Sequence, residues 1–163
     1  MICGIHHVAV VTPDADRLSS FYCKLFGFEI AYDGGWQQGS TTIDAMMALR
    51  GSAARVMMLR SGTAFVEIFQ FSSPEQPARA QPGGSADYGY THFCVSVVDI
   101  TAEYLRLSGL GMVFHAPPAA MGGGLTAAYG RDPDGNIIEL LEIADENFAF
   151  HSSRRFLRDQ AGS

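Results

Sequence analysis

The feature that most restricts what this chain can fold into is an internal duplication. His7 precedes Asp14 by seven residues, and His92 precedes Asp99 by the same interval. Tyr22, Leu25 and Gly27 recur at the same spacing as Tyr104, Leu107 and Gly109, and Lys24 recurs as Arg106. Each half reads as a strand, a helix and about three strands, and the last strand of each half carries a glutamate, Glu67 or Glu139. The repeating unit is therefore βαβββ.

The local signals support this reading. Ile5–Val11 is an apolar strand ended by Thr12-Pro13-Asp14, where Pro13 donates no ladder bond and Asp14 caps a helix. Leu18, Phe21, Tyr22 and Leu25 recur at helical spacing over 15–24, and Gly27 stops that helix. A strand is expected over 28–32, loop around Gly34-Gly35 and Gln37-Gln38-Gly39, and a short helix over 42–49. Two strands, 55–60 and 64–71, are joined by a hairpin at Ser61-Gly62. The second half predicts a strand over 90–97, a helix over 101–108 stopped by Gly109, and a short strand over 112–115. Loop follows over 117–124, then a strand over 125–129. Asp132-Pro133-Asp134-Gly135 is a tight turn that feeds the strand carrying Glu139 and sets its register. The expected chain is α+β: a first module over 1–71, a Pro- and Gly-rich linker over 72–88, a second module over 89–143 and a helical tail over 144–163.

Four polar residues stand in apolar strands: His7, Glu67, His92 and Glu139. Glu67 shares a face with Phe65 and Phe69, because strand side chains alternate. The four occupy the first and last strands of both halves, and they converge if the halves pair about a pseudo-twofold. Two imidazoles and two carboxylates suit a divalent metal such as Zn, Ni, Co, Mn or Fe. Without a cation, two buried carboxylates repel one another and are driven to protonate. Alternation sends His6 to the opposite face from His7, and the seven-residue interval to Asp14 selects His7. His115 and His151 have no repeat partner and read as surface or loop residues, and Glu142 has the opposite parity to Glu139.

Composition narrows the function. The hydrophobic fraction of 47% and charged fraction of 17% describe a folded chain. A net charge of −6 leaves no basic cluster for phosphates except Arg154, Arg155 and Arg158 in the tail, so no nucleic-acid partner is expected. No run is long and apolar enough to span a membrane, and no signal peptide opens the chain. Cys3, Cys23 and Cys94 are odd in number and widely spaced, which reads as reduced thiols in a cytoplasmic protein.

The pattern resembles the vicinal oxygen chelate superfamily, which includes glyoxalase I, methylmalonyl-CoA epimerase, extradiol dioxygenases and bleomycin and fosfomycin resistance proteins. The matching pieces are Ile5-His6-His7-Val8-Ala9-Val10 with Asp14, Phe21-Tyr22 with Leu25-Phe26-Gly27-Phe28, Val66-Glu67-Ile68, His92 with Asp99, and 131–136 with Ile138-Glu139. The resemblance implies paired modules in a U-shaped, partly closed mixed barrel around a metal, with His7, Glu67, His92 and Glu139 as ligands. It implies a glyoxalase-like lyase or isomerase that abstracts a proton beside a carbonyl, with the enediolate stabilised on the metal. Either Glu67 or Glu139 would be the base. Phe69, Cys94 and Tyr129 are the expected substrate contacts. Glu67 separates this chain from extradiol dioxygenases, which keep two histidines and one glutamate. A ring-cleaving dioxygenase and a non-catalytic small-molecule-binding protein of the resistance type are the alternatives. A homodimer is expected, with the modules paired within a chain or exchanged across it.

Overall fold

The computed structural model describes residues 1–151 apart from Cys3, Thr63 and 78–80. These residues form two compact units, one of Met1–Gly83 with Asp132–Asn136, the other of Gly84–Arg131 with the chain from Ile137 onward. The architecture is mixed α+β, with one sheet in each unit.

In the first unit, strand β1 (His7–Val11) leads into helix α1 (Ala15–Phe26). Strand β2 (Glu29–Trp36), helix α2 (Thr41–Met47), strand β3 (Ala53–Ser61) and strand β4 (Ala64–Ser73) follow. The sheet order is β1-β4-β3-β2, with β1 parallel to β4 and the other pairs antiparallel. Asp14 caps α1 by accepting from the Arg17 amide at 3.0 Å, which satisfies one of the amides a helix start leaves without a partner. Gly27 ends the helix at φ 68, a left-handed conformation that glycine adopts without strain. Leu18, Tyr22 and Leu25 on α1 are buried with Met57, Leu59, Val66 and Ile68 of the sheet. That layer is the core, and burial of each such side chain contributes roughly 1.5–3 kcal/mol.

The second unit repeats the plan. Strand β5 (His92–Ser96), helix α3 (Ile100–Gly109), strand β6 (Val113–Phe114), strand β7 (Ala119–Gly122), strand β8 (Leu125–Arg131) and strand β9 (Ile137–Ile143) follow in order. The sheet order β5-β9-β8-β6 matches that of the first unit, and β5 is parallel to β9. Strand β7 pairs with β8 off this path and takes the place in the chain that α2 holds in the first unit. Asp99 caps α3 through the Ala102 amide. Glu142, on the opposite face of β9 from Glu139, accepts from the Asp99 and Ile100 amides at that same helix start. There its charge is favoured by the helix dipole.

Several local expectations are corrected. Gly34 and Gly35 belong to β2 and pair with Val56 and Arg55. A Cβ on Gly35, at φ 150, would run into the Ala54 carbonyl of β3, so glycine here marks close strand approach. Gly109 lies inside α3, whose cap is Leu110. The 117–124 stretch contains β7 instead of being loop throughout. Residues 146–150 form turns instead of helix, and the rest of the expected tail helix, with Arg154, Arg155 and Arg158, lies outside the described residues. Cys3 does too, while Cys23 and Cys94 are free thiols.

The turn Asp132–Asn136 packs in the first unit. The Asp132 carboxylate is 5% exposed and accepts from four donors: the Asp134 and Asn136 amides at 2.9 Å each, the Asn136 side chain at 2.8 Å and the Tyr22 hydroxyl at 2.7 Å. Asp134 accepts from Thr12 at 2.6 Å and pairs with Arg17. Burial, and then the Asp132 charge, hold the Tyr22 phenol far above its ordinary pKa, so it stays a donor. Tyr22→Phe is expected to lower stability by about 1–3 kcal/mol, because it removes a buried donor from a charged acceptor. Urea denaturation measures it, and an unchanged midpoint would show that the bond contributes nothing.

Candidate functional site

Parallel pairing places a histidine and a glutamate together in each unit, with the same register. In the first, Glu67 on β4 stands opposite Ala9 on β1, so His7 lies two residues behind Glu67's partner. In the second, Glu139 on β9 stands opposite Cys94 on β5, and His92 lies two residues behind. Strand periodicity returns each histidine to the glutamate's face. The His7 Nε2 to Glu67 Oε2 distance is 3.2 Å, and the His92 Nε2 to Glu139 Oε2 distance is 3.1 Å.

The other ring nitrogen is also held alike. Nδ1 of His7 meets Nδ1 of His6 at 2.9 Å, and Nδ1 of His92 meets the Thr91 hydroxyl at 2.8 Å. In both units the residue just before the histidine fixes the ring. His6 therefore does not point away from His7: it precedes β1, where strand alternation does not apply, and its ring stacks on Phe65 at 4.9 Å. An imidazole that donates through Nδ1 turns a bare Nε2 lone pair toward the carboxylate. In that tautomer the facing nitrogen and oxygen, 3.1–3.2 Å apart, need a proton or a cation between them, whereas in the other the Nε2 hydrogen donates to the carboxylate. Ligand bonds of about 2.0–2.2 Å at right angles put neighbouring donors about 3 Å apart, so each pair has a spacing a divalent metal accepts. Among the described residues, no three His, Cys, Asp or Glu side chains gather as a metal-binding group, and each unit by itself presents two donors.

The surroundings of the two glutamates differ. Glu67 has Ala9 on one side and Met58 on the other, whereas Glu139 has Cys94 and Tyr129. The Tyr129 hydroxyl and the Cys94 thiol stand beside Glu139 on the two flanking strands, placed to donate to it. Desolvation first, and then the Glu139 charge, push the Cys94 thiol up to about 12. The Tyr129 phenol is raised by desolvation and by its bond to Glu139. Glu139 is 9% exposed, with these two side chains and His92 around it, and the His92 ring meets Tyr129 edge-on at 5.2 Å.

Each unit carries a cavity. One in the second unit, about 430 Å³, is lined by His92, Tyr129 and His115 among small residues that include Ala116, Ala119 and Ala127. His115 was legible only as a surface residue, and it is exposed, yet it shares this cavity with His92. The other, in the first unit, measures about 790 Å³ and is lined by Asp16, Asp33, Trp36, Arg55 and Phe71 among others, but by neither His7 nor Glu67. Arg55 bridges Asp33 and Asp16 at its wall. Phe69 joins Trp36 and Phe71 in an aromatic cluster, with ring centroids 5.6 to 6.2 Å apart. Met57 is buried in the core, whereas Met46 is exposed and Met58 stands beside Glu67.

Residues 4–140 match the model of the Glyoxalase/Bleomycin resistance protein/Dioxygenase superfamily. The chain belongs to this superfamily. A 2-epi-5-epi-valiolone epimerase from Actinomyces sp. is 30% identical over 152 residues, covering 86% of this chain and 79% of that protein. Among solved structures, a glyoxalase family protein from Bacillus cereus superposes with a TM-score of 0.77 at 19% identity, covering 87% of this chain and 95% of its own. A lactoylglutathione lyase from Agrobacterium tumefaciens gives 0.56 at 22% identity, covering 85% and 92%. These two likenesses establish the mixed α+β fold. No helix of the described residues is long and apolar enough to cross a membrane.

Tyr129→Phe keeps the ring against His92 and removes one donor from a buried carboxylate. It is expected to cost about 0.5–1.5 kcal/mol by chemical denaturation, and no loss would show that the hydroxyl bond to Glu139 is not made in solution.

Proposed function

We propose that this protein is a divalent-metal-dependent epimerase or lyase that takes a proton from a carbon beside a carbonyl group of a small oxygenated metabolite. The observation that carries the reading is the duplicated pair: His7 with Glu67 and His92 with Glu139, each with Nε2 toward the carboxylate and Nδ1 held from behind. His7, Glu67, His92 and Glu139 would hold the cation, of the Zn, Ni, Co, Mn or Fe class, in keeping with their nitrogen and oxygen donors. When bound, such a cation polarises a carbonyl and offsets the negative charge that develops as the neighbouring carbon loses its proton.

The chain's own residues supply the rest. Glu67 or Glu139 takes the proton. Tyr129 and Cys94 orient Glu139, as outer partners orient metal-binding side chains. Phe69, Cys94 and Tyr129 are the proposed substrate contacts. The relative described above as an epimerase supports an isomerase-type reaction, and a valiolone epimer is the first substrate to try. We further propose a homodimer as the working unit and a cytoplasmic location.

Elemental analysis of the purified protein is expected to find about one divalent metal per chain. Glu139→Ala and Glu67→Ala are each expected to weaken metal binding at least tenfold. In 2H2O the metal-loaded protein should exchange the hydrogen beside the substrate carbonyl. Metal-free protein whose composition does not respond to Glu139→Ala would overturn the metal assignment. Failure of wild type to exchange or epimerise 2-epi-5-epi-valiolone would remove the substrate assignment.

A further inference from the structure

His115 is the one imidazole in the second unit's cavity that is not engaged with a glutamate. Its position is set by the sheet. The His115 amide donates to the Tyr129 carbonyl at 2.8 Å, which continues the β6–β8 ladder by one residue. Phe114 packs its ring on Tyr104 of α3, with centroids 4.8 Å apart. The next residue leaves that packing and stands in register with Tyr129, itself the partner of Glu139. His115 lines the cavity together with His92 and Tyr129. Among the described residues its ring has no hydrogen-bond partner, so both ring nitrogens are available to a ligand.

The duplication supplies a comparison. Tyr32 on β2 stands opposite Met58 on β3, and Met58 stands opposite Glu67. His115 stands opposite Tyr129, and Tyr129 opposite Glu139. His115 and Tyr32 thus occupy equivalent positions, and the second unit has an imidazole where the first has a phenol. Glu139 and His115 arise two strands apart, about 10 Å at the backbone. Both side chains rise from one face of the sheet on either side of Tyr129, so a small ring seated over Tyr129 would meet them at opposite edges, and four lining alanines leave room beside His115.

We propose that His115 is the second proton-transfer group of the reaction, and that it delivers a proton to the face of the carbon opposite the one deprotonated. This rests on the epimerase reading above. Such a pair completes the inversion of a carbon beside a carbonyl: a group on one face removes a proton, and a group on the other returns one. In the first half-reaction a glutamate carboxylate takes the proton from carbon, the C–H electron pair moves into the enolate, and the glutamate becomes neutral. In the second the enolate carbon takes a proton from the His115 imidazolium, which becomes neutral imidazole. Solvent then takes the glutamate's proton and reprotonates His115, so no oxidant or co-reactant is consumed.

The test separates the two half-reactions. Full-length metal-loaded protein is incubated with 2-epi-5-epi-valiolone in 2H2O, and proton NMR follows loss of the hydrogen beside the carbonyl and the appearance of the other epimer. Wild type is expected to show both. His115→Gln is expected to keep exchange into the starting epimer within about threefold and to slow epimer formation about 100-fold or more. His115→Asn should behave alike, and circular dichroism and metal content should match wild type for both variants. Equal loss of exchange and epimerisation, or loss of neither, would overturn the role of His115 while leaving the epimerase reading intact. A wild type that neither exchanges nor epimerises would overturn the epimerase reading for this substrate, and this inference with it.

Discussion

Everything proposed for this chain depends on the parallel pairing of the first and last strand in each unit. A parallel pair has no local turn to set its register, since the intervening strands and helix must be in place first. The register is instead imposed by burial. In β4, Val66 and Ile68 face the core at 3% and 0% exposure, so a one-residue slip would turn Glu67 into that layer and two large apolar side chains out of it. An unpaired carboxylate there would cost several kcal/mol in addition to the lost burial. Hydrophobic packing against α1 thus decides where Glu67 points, and the two-residue offset then delivers His7 to it. The same holds in the second unit, where Ile138 and Leu140 are fully buried on either side of Glu139.

A duplicated frame allows its two copies to be furnished differently. At matching positions the first unit has Ala9, Met58 and Tyr32, and the second has Cys94, Tyr129 and His115. The backbone does not register these exchanges, because each stands on the face away from its helix. The chemistry changes with them. The carboxylate of Glu67 has a methyl group and a thioether on its flanking strands, while that of Glu139 has two hydrogen-bond donors. A buried carboxylate with several donors is held in one place, which suits Glu139 as the better-anchored member of the proposed set.

The sequence made the scaffold and the polar intruders legible for a physical reason. Caps such as Asp14 and Asp99 and the stop at Gly27 are local chemistry, readable within a few residues. The positions of His7, Glu67, His92 and Glu139 stand out because each breaks an apolar period, and strand parity separates Glu139 from Glu142. The misreadings share the opposite cause. Gly34-Gly35 resembles a loop until β3 is known to lie close against it, and 117–124 resembles a loop until β8 offers its edge. His115 lies just past a two-residue strand, too short to display a period, and its kinship with Tyr32 is visible only through the pairing of β2 with β3 and of β6 with β8. His6 could not be oriented by alternation because the strand begins one residue later.

The Asp132–Asn136 turn shows how local and distant constraints combine. Within the turn, the Asp132 amide donates to the Asn136 carbonyl at 3.0 Å, and its carboxylate accepts from the Asp134 and Asn136 amides. Those bonds fold the five residues on themselves. They leave one carboxylate oxygen for Tyr22 and the Asn136 side chain, so the charge is satisfied only when α1 is present. The corresponding tyrosine of the other half, Tyr104, packs on Phe114 instead. The tyrosine that the repeat shares therefore holds a charged turn in one half and an aromatic ring in the other. In the first unit that helix position anchors the turn from which the Glu139 strand starts.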